Sequence, residues 1–135
     1  MSNVRSQQLR ERRGEEPFAM PSTSERGVNV LFVCGRNQWR SPTAERIWRN
    51  HPGLSVRSAG TSASARHRVS SKDLHWAEVI LVMEEEHKSQ LLAEHSRTLA
   101  QKPIHVLDIP DEYEYMDPEL VAHLKQSVGA VLGVE

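Results

Sequence analysis

The stretch Val28-Asn29-Val30-Leu31-Phe32-Val33-Cys34-Gly35-Arg36-Asn37-Gln38-Trp39-Arg40-Ser41-Pro42 contains a strand, a loop and the start of a helix. Its opening residues are β-branched and almost wholly apolar, the composition of a strand covered on both faces of a parallel sheet. Its end, Ser41-Pro42, reads as a cap residue followed by a proline in the first helical turn. Ala44, Ile47 and Trp48 continue an apolar helical face as far as Asn50. Strand, short loop, helix is the opening unit of an α/β fold. Open parallel sheets place their ligands beyond the carboxyl ends of the strands. The segment from Cys34 to Ser41 is therefore the first place to look for chemistry.

Downstream, the same alternation repeats. Leu54–Ala59 reads as a second strand with Gly60 as its exit, Val79–Met83 as a third, and Ile104–Leu107 as a fourth. Ser70 and Asp73 have capping-box spacing for a short helix through Leu74 and Trp76. Glu84 and Lys88 stand at helical i,i+4 spacing, with Leu91 and Leu92 continuing that helix. Asp117 caps a last helix, Pro118 lies just inside it, and Leu120, Val121, Leu124, Val128, Val131 and Leu132 form its stripe. The expected architecture is a four-stranded parallel sheet with helices on both faces and the Cys34–Ser41 loop after the first strand. Upstream, residues 1–26 are polar, charged and rich in Ser and Pro without a periodic apolar face. They are expected to form a disordered tail before a domain over 27–135. The arginines at 10, 12 and 13 are diluted by Glu11, Glu15 and Glu16, and Met20 offers an alternative start.

The whole chain has 135 residues, 17 basic and 18 acidic side chains, and a formal net charge of −1. That balance gives no electrostatic case for nucleic acid or an anionic membrane as a partner. The apolar runs are far shorter than the ~20 residues that span a bilayer, and the first residues hold no apolar signal-peptide core. A single cysteine excludes an internal disulfide framework, a CxxC redox pair and a zinc cluster. These features lead us to expect a cytoplasmic, single-domain protein.

The first loop carries the chemistry. Cys34 leaves the strand, five residues intervene, and Arg40 and Ser41 open the helix. A loop this tight can turn its backbone N–H groups inward while the helix adds its positive end, which together make an anion cradle. Arg40 can grip two oxygens of a phosphate at once, which lysine could not. The same dipoles and charges would favour a thiolate at Cys34, and so a nucleophile. The alternative is a buried core cysteine beside a solvated arginine.

Val30-Leu31-Phe32-Val33-Cys34, Asn37 and Arg40-Ser41-Pro42-Thr43-Ala44-Glu45 together resemble the signature of the low-molecular-weight protein tyrosine phosphatases. Ser58-Ala59-Gly60-Thr61, Asp73 with Trp76-Ala77, Val79–Met83 and Pro110-Asp111 continue the resemblance in order. The resemblance implies that Cys34 attacks phosphorus, forming a phosphocysteine. Arg40 and the loop amides would bind the equatorial oxygens, Ser41 would stabilise the thiolate, and Asn37 and Ser58 would hold the loop. No metal or organic cofactor is implied. The implied substrate is a phosphotyrosine protein or a small aryl phosphate. Gly35, Arg36, Asn37, Gln38, Trp39 and Ser41 are the candidate substrate-binding residues of the loop, joined by Tyr113 from the acidic stretch 108–117.

Such a mechanism needs an acid for the leaving group and a base for water. Asp111 is the candidate, because Asp117 is expected to cap the last helix and Asp108 to sit in a turn. The family's Asp-Pro is absent at this point, where the chain reads Asp111-Glu112, and occurs instead at Asp117-Pro118. Tyr113 and Tyr115 would either wall the cleft or sit as partly exposed loop aromatics.

Other departures stand out. The family's glycine two residues after the nucleophile is Arg36 here. A positive φ there would cost about 1–2 kcal/mol, whereas an ordinary φ would leave its charge on the pocket rim. Trp39 replaces a second cysteine, so a protective disulfide is impossible; it either lines the entrance or packs on the helix. The segment between Thr61 and Asp73 is short for the family, which implies a missing helix. Its basic run Ser62–Arg68 is expected to be a solvated loop, or else to recruit phosphorylated partners. The histidines have no metal-ligand spacing. Competing functions are a phosphopeptide-binding pseudophosphatase and an arsenate reductase. The first would not need Cys34, and the second normally relays electrons through further cysteines. Related phosphocysteine carriers lack the loop arginine.

Overall fold

The computed structural model describes residues 27–134; the tail expected over 1–26 lies outside the described residues. Eight elements alternate in order: β1 (Val28–Cys34), α1 (Arg40–Trp48), β2 (Leu54–Gly60), α2 (Ser71–Trp76), β3 (Val79–Val82), α3 (Glu85–His95), β4 (Ile104–Val106) and α4 (Pro118–Leu132). The four strands form one sheet in the order β2-β1-β3-β4, and every pairing is parallel.

Side chains alternate across a strand, and β1 uses that alternation to feed two cores. Val28, Val30, Phe32 and Cys34 face α1 and α4, meeting Ala44, Trp48, Leu120, Leu124, Val128 and Leu132. Leu31 and Val33 face the other way, toward Leu74 of α2 and Leu91 of α3. Burial on both faces explains why β1 and β3 read as unbroken apolar runs. Phe32 and Trp48 stack with ring centroids 5.9 Å apart, fixing α1 against the strand that precedes it.

The central strand β1 pairs with β2 on one side and β3 on the other. The chain leaves β1 toward β2 and later returns past it to β3, so the end of β1 is a topological switch point, the position open sheets use for ligands. Cys34 is its last residue.

Local chemistry sets the helix ends. Ser70 and Asp73 form the expected capping box, each side chain meeting the other's backbone N–H. Asp117 Oδ1 accepts from the Glu119 N–H at 2.8 Å, and Gly133 closes α4 with φ 73°. Two expectations are corrected. Ser41 does not cap α1, which starts at Arg40 with Trp39 at the cap position and no side-chain cap. Gly60 does not leave the sheet but ends β2, in register with Cys34.

Candidate active site

Residues 35–39 leave β1 and re-enter helix at Arg40, and their outward groups are held by the segment after β2. Thr61 N–H donates to the Cys34 carbonyl at 3.0 Å, Ser62 N–H to that of Gly35 at 2.9 Å, and Arg66 N–H to that of Arg36 at 3.0 Å. Arg66 Nε takes the Asn37 carbonyl at 3.0 Å. Four successive carbonyls are thus satisfied from outside the loop. Among the described residues no acceptor takes the N–H groups of residues 35–39. Amides without a protein partner, followed by a helix N-terminus, are what an oxyanion needs. The stretch 61–66 thus braces the loop through these bonds, while Ala63, Ser64, Arg66, His67 and Arg68 stay exposed as expected of a solvated loop. Three of the four contacts are donated by backbone N–H groups, which leave no mark on residue type, and the fourth by the Arg66 side chain.

The loop can sit this low because β2 ends in glycine. A β-carbon on Gly60 would lie 2.6 Å from the Gly35 carbonyl oxygen, 2.7 Å from Ala65 Cβ and 3.0 Å from the Asn37 nitrogen. The left-handed position in the loop is Asn37, with φ 54°, not Arg36. Asparagine tolerates that conformation better than most residues, so the strain expected at Arg36 does not arise.

Beneath the loop lies a chain of hydrogen bonds. Cys34 Sγ and Ser41 Oγ are 3.0 Å apart. Asn37 Nδ2 donates to Ser41 Oγ at 2.9 Å and to Ser58 Oγ at 3.0 Å. Ser58 Oγ donates to Glu45 Oε1 at 2.6 Å. The Asn37 amide occupies one lone pair of Ser41, and the serine proton has two acceptors in reach, the sulfur at 3.0 Å and the Ala59 carbonyl at 3.3 Å. The side chains of Asn37 and Ser41 are thus turned inward, as supports of the loop, while Arg36, Gln38 and Trp39 are exposed on its rim. Trp39 keeps 40% of its surface in solvent.

Arg40 is buried, and Nη1 anchors it by donating to Glu84 Oε2 at 2.8 Å and to the Ile109 carbonyl at 2.7 Å. The edge carrying Nε and Nη2, the one suited to two oxygens of a tetrahedral anion, makes no hydrogen bond among the described residues. Asp111 comes down beside it, with Oδ1 3.6 Å from Nε and most of the carboxylate in water. Asp117 serves as the α4 cap, and Asp108 sits in a turn with φ 59°. Tyr113 packs against the core, whereas Tyr115 is exposed, its hydroxyl 3.4 Å from Arg46 Nη1.

The histidines drew no role from sequence, yet His87 belongs to this site. It is buried, and its Nδ1 accepts the Glu84 N–H at 3.0 Å. Its Nε2 is 3.6 Å from where a Gly35 β-carbon would be. Burial first, and then the Arg40 charge, hold its pKa below the usual 6.5, so the ring is neutral with its proton on Nε2. A lone histidine at the third position of a helix carries no sequence signal for this. Glu84, Glu86 and His87 gather three donor groups within 4.8 Å. However, Glu84 is held by Arg40, and the free ring nitrogen of His87 carries a proton, so the group is poorly suited to a metal.

The site thus combines a cysteine at a parallel-sheet switch point, a following loop whose amides have no partner among the described residues, and a buried arginine at the helix start. The family model for low molecular weight phosphotyrosine protein phosphatases matches residues 29–109, and the chain belongs to that family. Solved structures share the fold. Wzb, a tyrosine phosphatase from Escherichia coli K30 solved with phosphate, is 20% identical, with a TM-score of 0.62 over 76% of this chain and 94% of its own. The low molecular weight protein tyrosine phosphatase of T. tengcongensis is 20% identical, with a TM-score of 0.60 over 78% and 95%. The arginine phosphatase YwlE of Geobacillus stearothermophilus is 21% identical, with a TM-score of 0.59 over 77% and 88%. No curated protein matches the chain by sequence. Among the described residues no helix is long and apolar enough to cross a membrane.

Proposed function

We propose that the protein hydrolyses phosphomonoesters, with phosphotyrosine in a protein or a small aryl phosphate as substrate. The observation that carries this reading is the row of unpartnered N–H groups over residues 35–39 above Cys34. In the first step the Cys34 thiolate attacks phosphorus, the S–P bond forms and the P–O bond to the leaving group breaks. The loop amides and the free edge of Arg40 stabilise the equatorial oxygens. Asp111 gives its proton to the leaving oxygen. In the second step a water attacks phosphorus and Asp111 takes its proton. The S–P bond then breaks, releasing inorganic phosphate and the thiolate. Ser41, 3.0 Å from the sulfur, donates to the thiolate before it attacks and again as it leaves phosphorus in the second step.

Arsenate reduction on this scaffold would need further thiols for its electrons, and the chain has one cysteine. A phosphopeptide-binding role alone would give no reason to set Ser41 against Cys34. The test is hydrolysis of p-nitrophenyl phosphate across pH 5–7.5 by the wild type, Cys34→Ser and Asp111→Asn. Cys34→Ser is expected to fall to background, and Asp111→Asn to lose about a hundredfold in kcat. An inactive wild type would remove the enzymatic reading, and an unaffected Asp111→Asn would remove Asp111 as the acid.

A further inference from the structure

Beside the phosphate loop the surface opens into a groove of about 660 Å³ lined by Gln38, Pro42, Glu45, Arg49, Arg66 and Tyr115. Its charges do not balance. The one carboxylate in the lining, Glu45, accepts the Ser58 hydroxyl at 2.6 Å. Arg66 spends Nε on the Asn37 carbonyl and makes no ion pair among the described residues. Arg49 is exposed and has neither a hydrogen bond nor an ion pair among them. Arg36, whose carbonyl is held by the Arg66 N–H, adds a third exposed guanidinium at the loop end. The loop before α4, which contributes Tyr115 to the lining, carries exposed Asp111, Glu112 and Glu114. A peptide chain carrying a phosphorylated residue into the loop would therefore pass Arg36, Arg49 and Arg66, three exposed guanidinium groups without an ion pair among the described residues.

We propose that this groove receives acidic side chains flanking the phosphorylated residue, so that the preferred substrates are phosphoproteins with Asp or Glu close to the phosphosite. This inference rests on the phosphatase reading above. Guanidinium groups suit carboxylates in geometry as well as charge, since two N–H donors can meet two oxygens. The groove is open to water, so each pair is expected to contribute modestly and to be screened by salt.

Fluorescein-labelled phosphotyrosine peptides of equal length, flanked on both sides by Glu, Ser or Lys, test this by anisotropy. They are titrated with full-length Cys34→Ser and with Cys34→Ser/Arg49→Glu, and Arg49→Glu alone is assayed on p-nitrophenyl phosphate. The Glu-flanked peptide is expected to bind about three- to tenfold more tightly than the Lys-flanked one at low salt. The gap is expected to shrink in concentrated NaCl and to disappear with Arg49→Glu, which leaves p-nitrophenyl phosphate hydrolysis unchanged. Equal affinities for the three peptides, a preference that survives Arg49→Glu, or no peptide binding would overturn the inference. An inactive wild type would instead overturn the phosphatase reading, and the anisotropy would still decide whether the groove selects acidic flanks.

Discussion

At position 41 a hydroxyl that sequence patterning assigns to a helix cap is instead 3.0 Å from the sulfur of Cys34. Helix patterning alone misses this partner, which the family resemblance implies and the distance supports. His87 makes the same point with a titratable group. Its ring fits against Gly35 and caps α3, and burial depresses its pKa. His105 is shifted in the same direction, by burial and then by Lys88. Both rings are held neutral in the fold, while in the unfolded chain they take up protons near their usual 6.5. Below that pH the unfolded state binds more protons, so stability is full above about pH 6.5 and declines as pH falls through it. Melting temperature is therefore expected to fall between pH 7 and pH 5, with a shallower fall in His87→Asn/His105→Gln. An unchanged slope in the double variant would show that these rings do not carry the dependence.

Among the elements, the pairing of β1 with β2 positions the loop, and Gly60 is the point where the two come too close for a side chain. Its β-carbon would be 2.6 Å from the Gly35 carbonyl oxygen, a backbone atom that can move only with the loop. Gly60→Ala is expected to cost about 1–3 kcal/mol of stability and to lower kcat/KM by about ten- to a hundredfold through misplacement of the cradle. Gly35→Ala is a matched comparison. A β-carbon there meets only His87 Nε2, at the ordinary distance of 3.6 Å, so the loss is expected to be much smaller. Steady-state kinetics and chemical denaturation of both variants check this, and equal losses would contradict the steric account. Such contacts join segments some 25 residues apart, so no local spacing in the chain announces them.

For the molecule as a whole, the features carried by neighbouring residues were legible. The strand order of burial, the loop between Cys34 and Arg40, the Ser70–Asp73 capping box and the Asp117 cap of α4 all follow from spacings of a few residues. The brace over 61–66, the anchoring of Arg40 by Glu84 and Ile109, and the approach of Asp111 to Arg40 depend on packing between distant segments. The positive φ lies at Asn37 and not Arg36, at the residue whose carbonyl the Arg66 side chain holds. The two faces of the sheet thus serve one end of one strand, where the chain's lone cysteine sits. The most direct test of that centre is to quench the wild type during turnover of p-nitrophenyl phosphate and map the adduct by mass spectrometry. A phosphate on the peptide containing Cys34, absent in Cys34→Ser, is the expected result. Turnover without any phosphate on that peptide, or turnover that survives Cys34→Ser, would contradict the account.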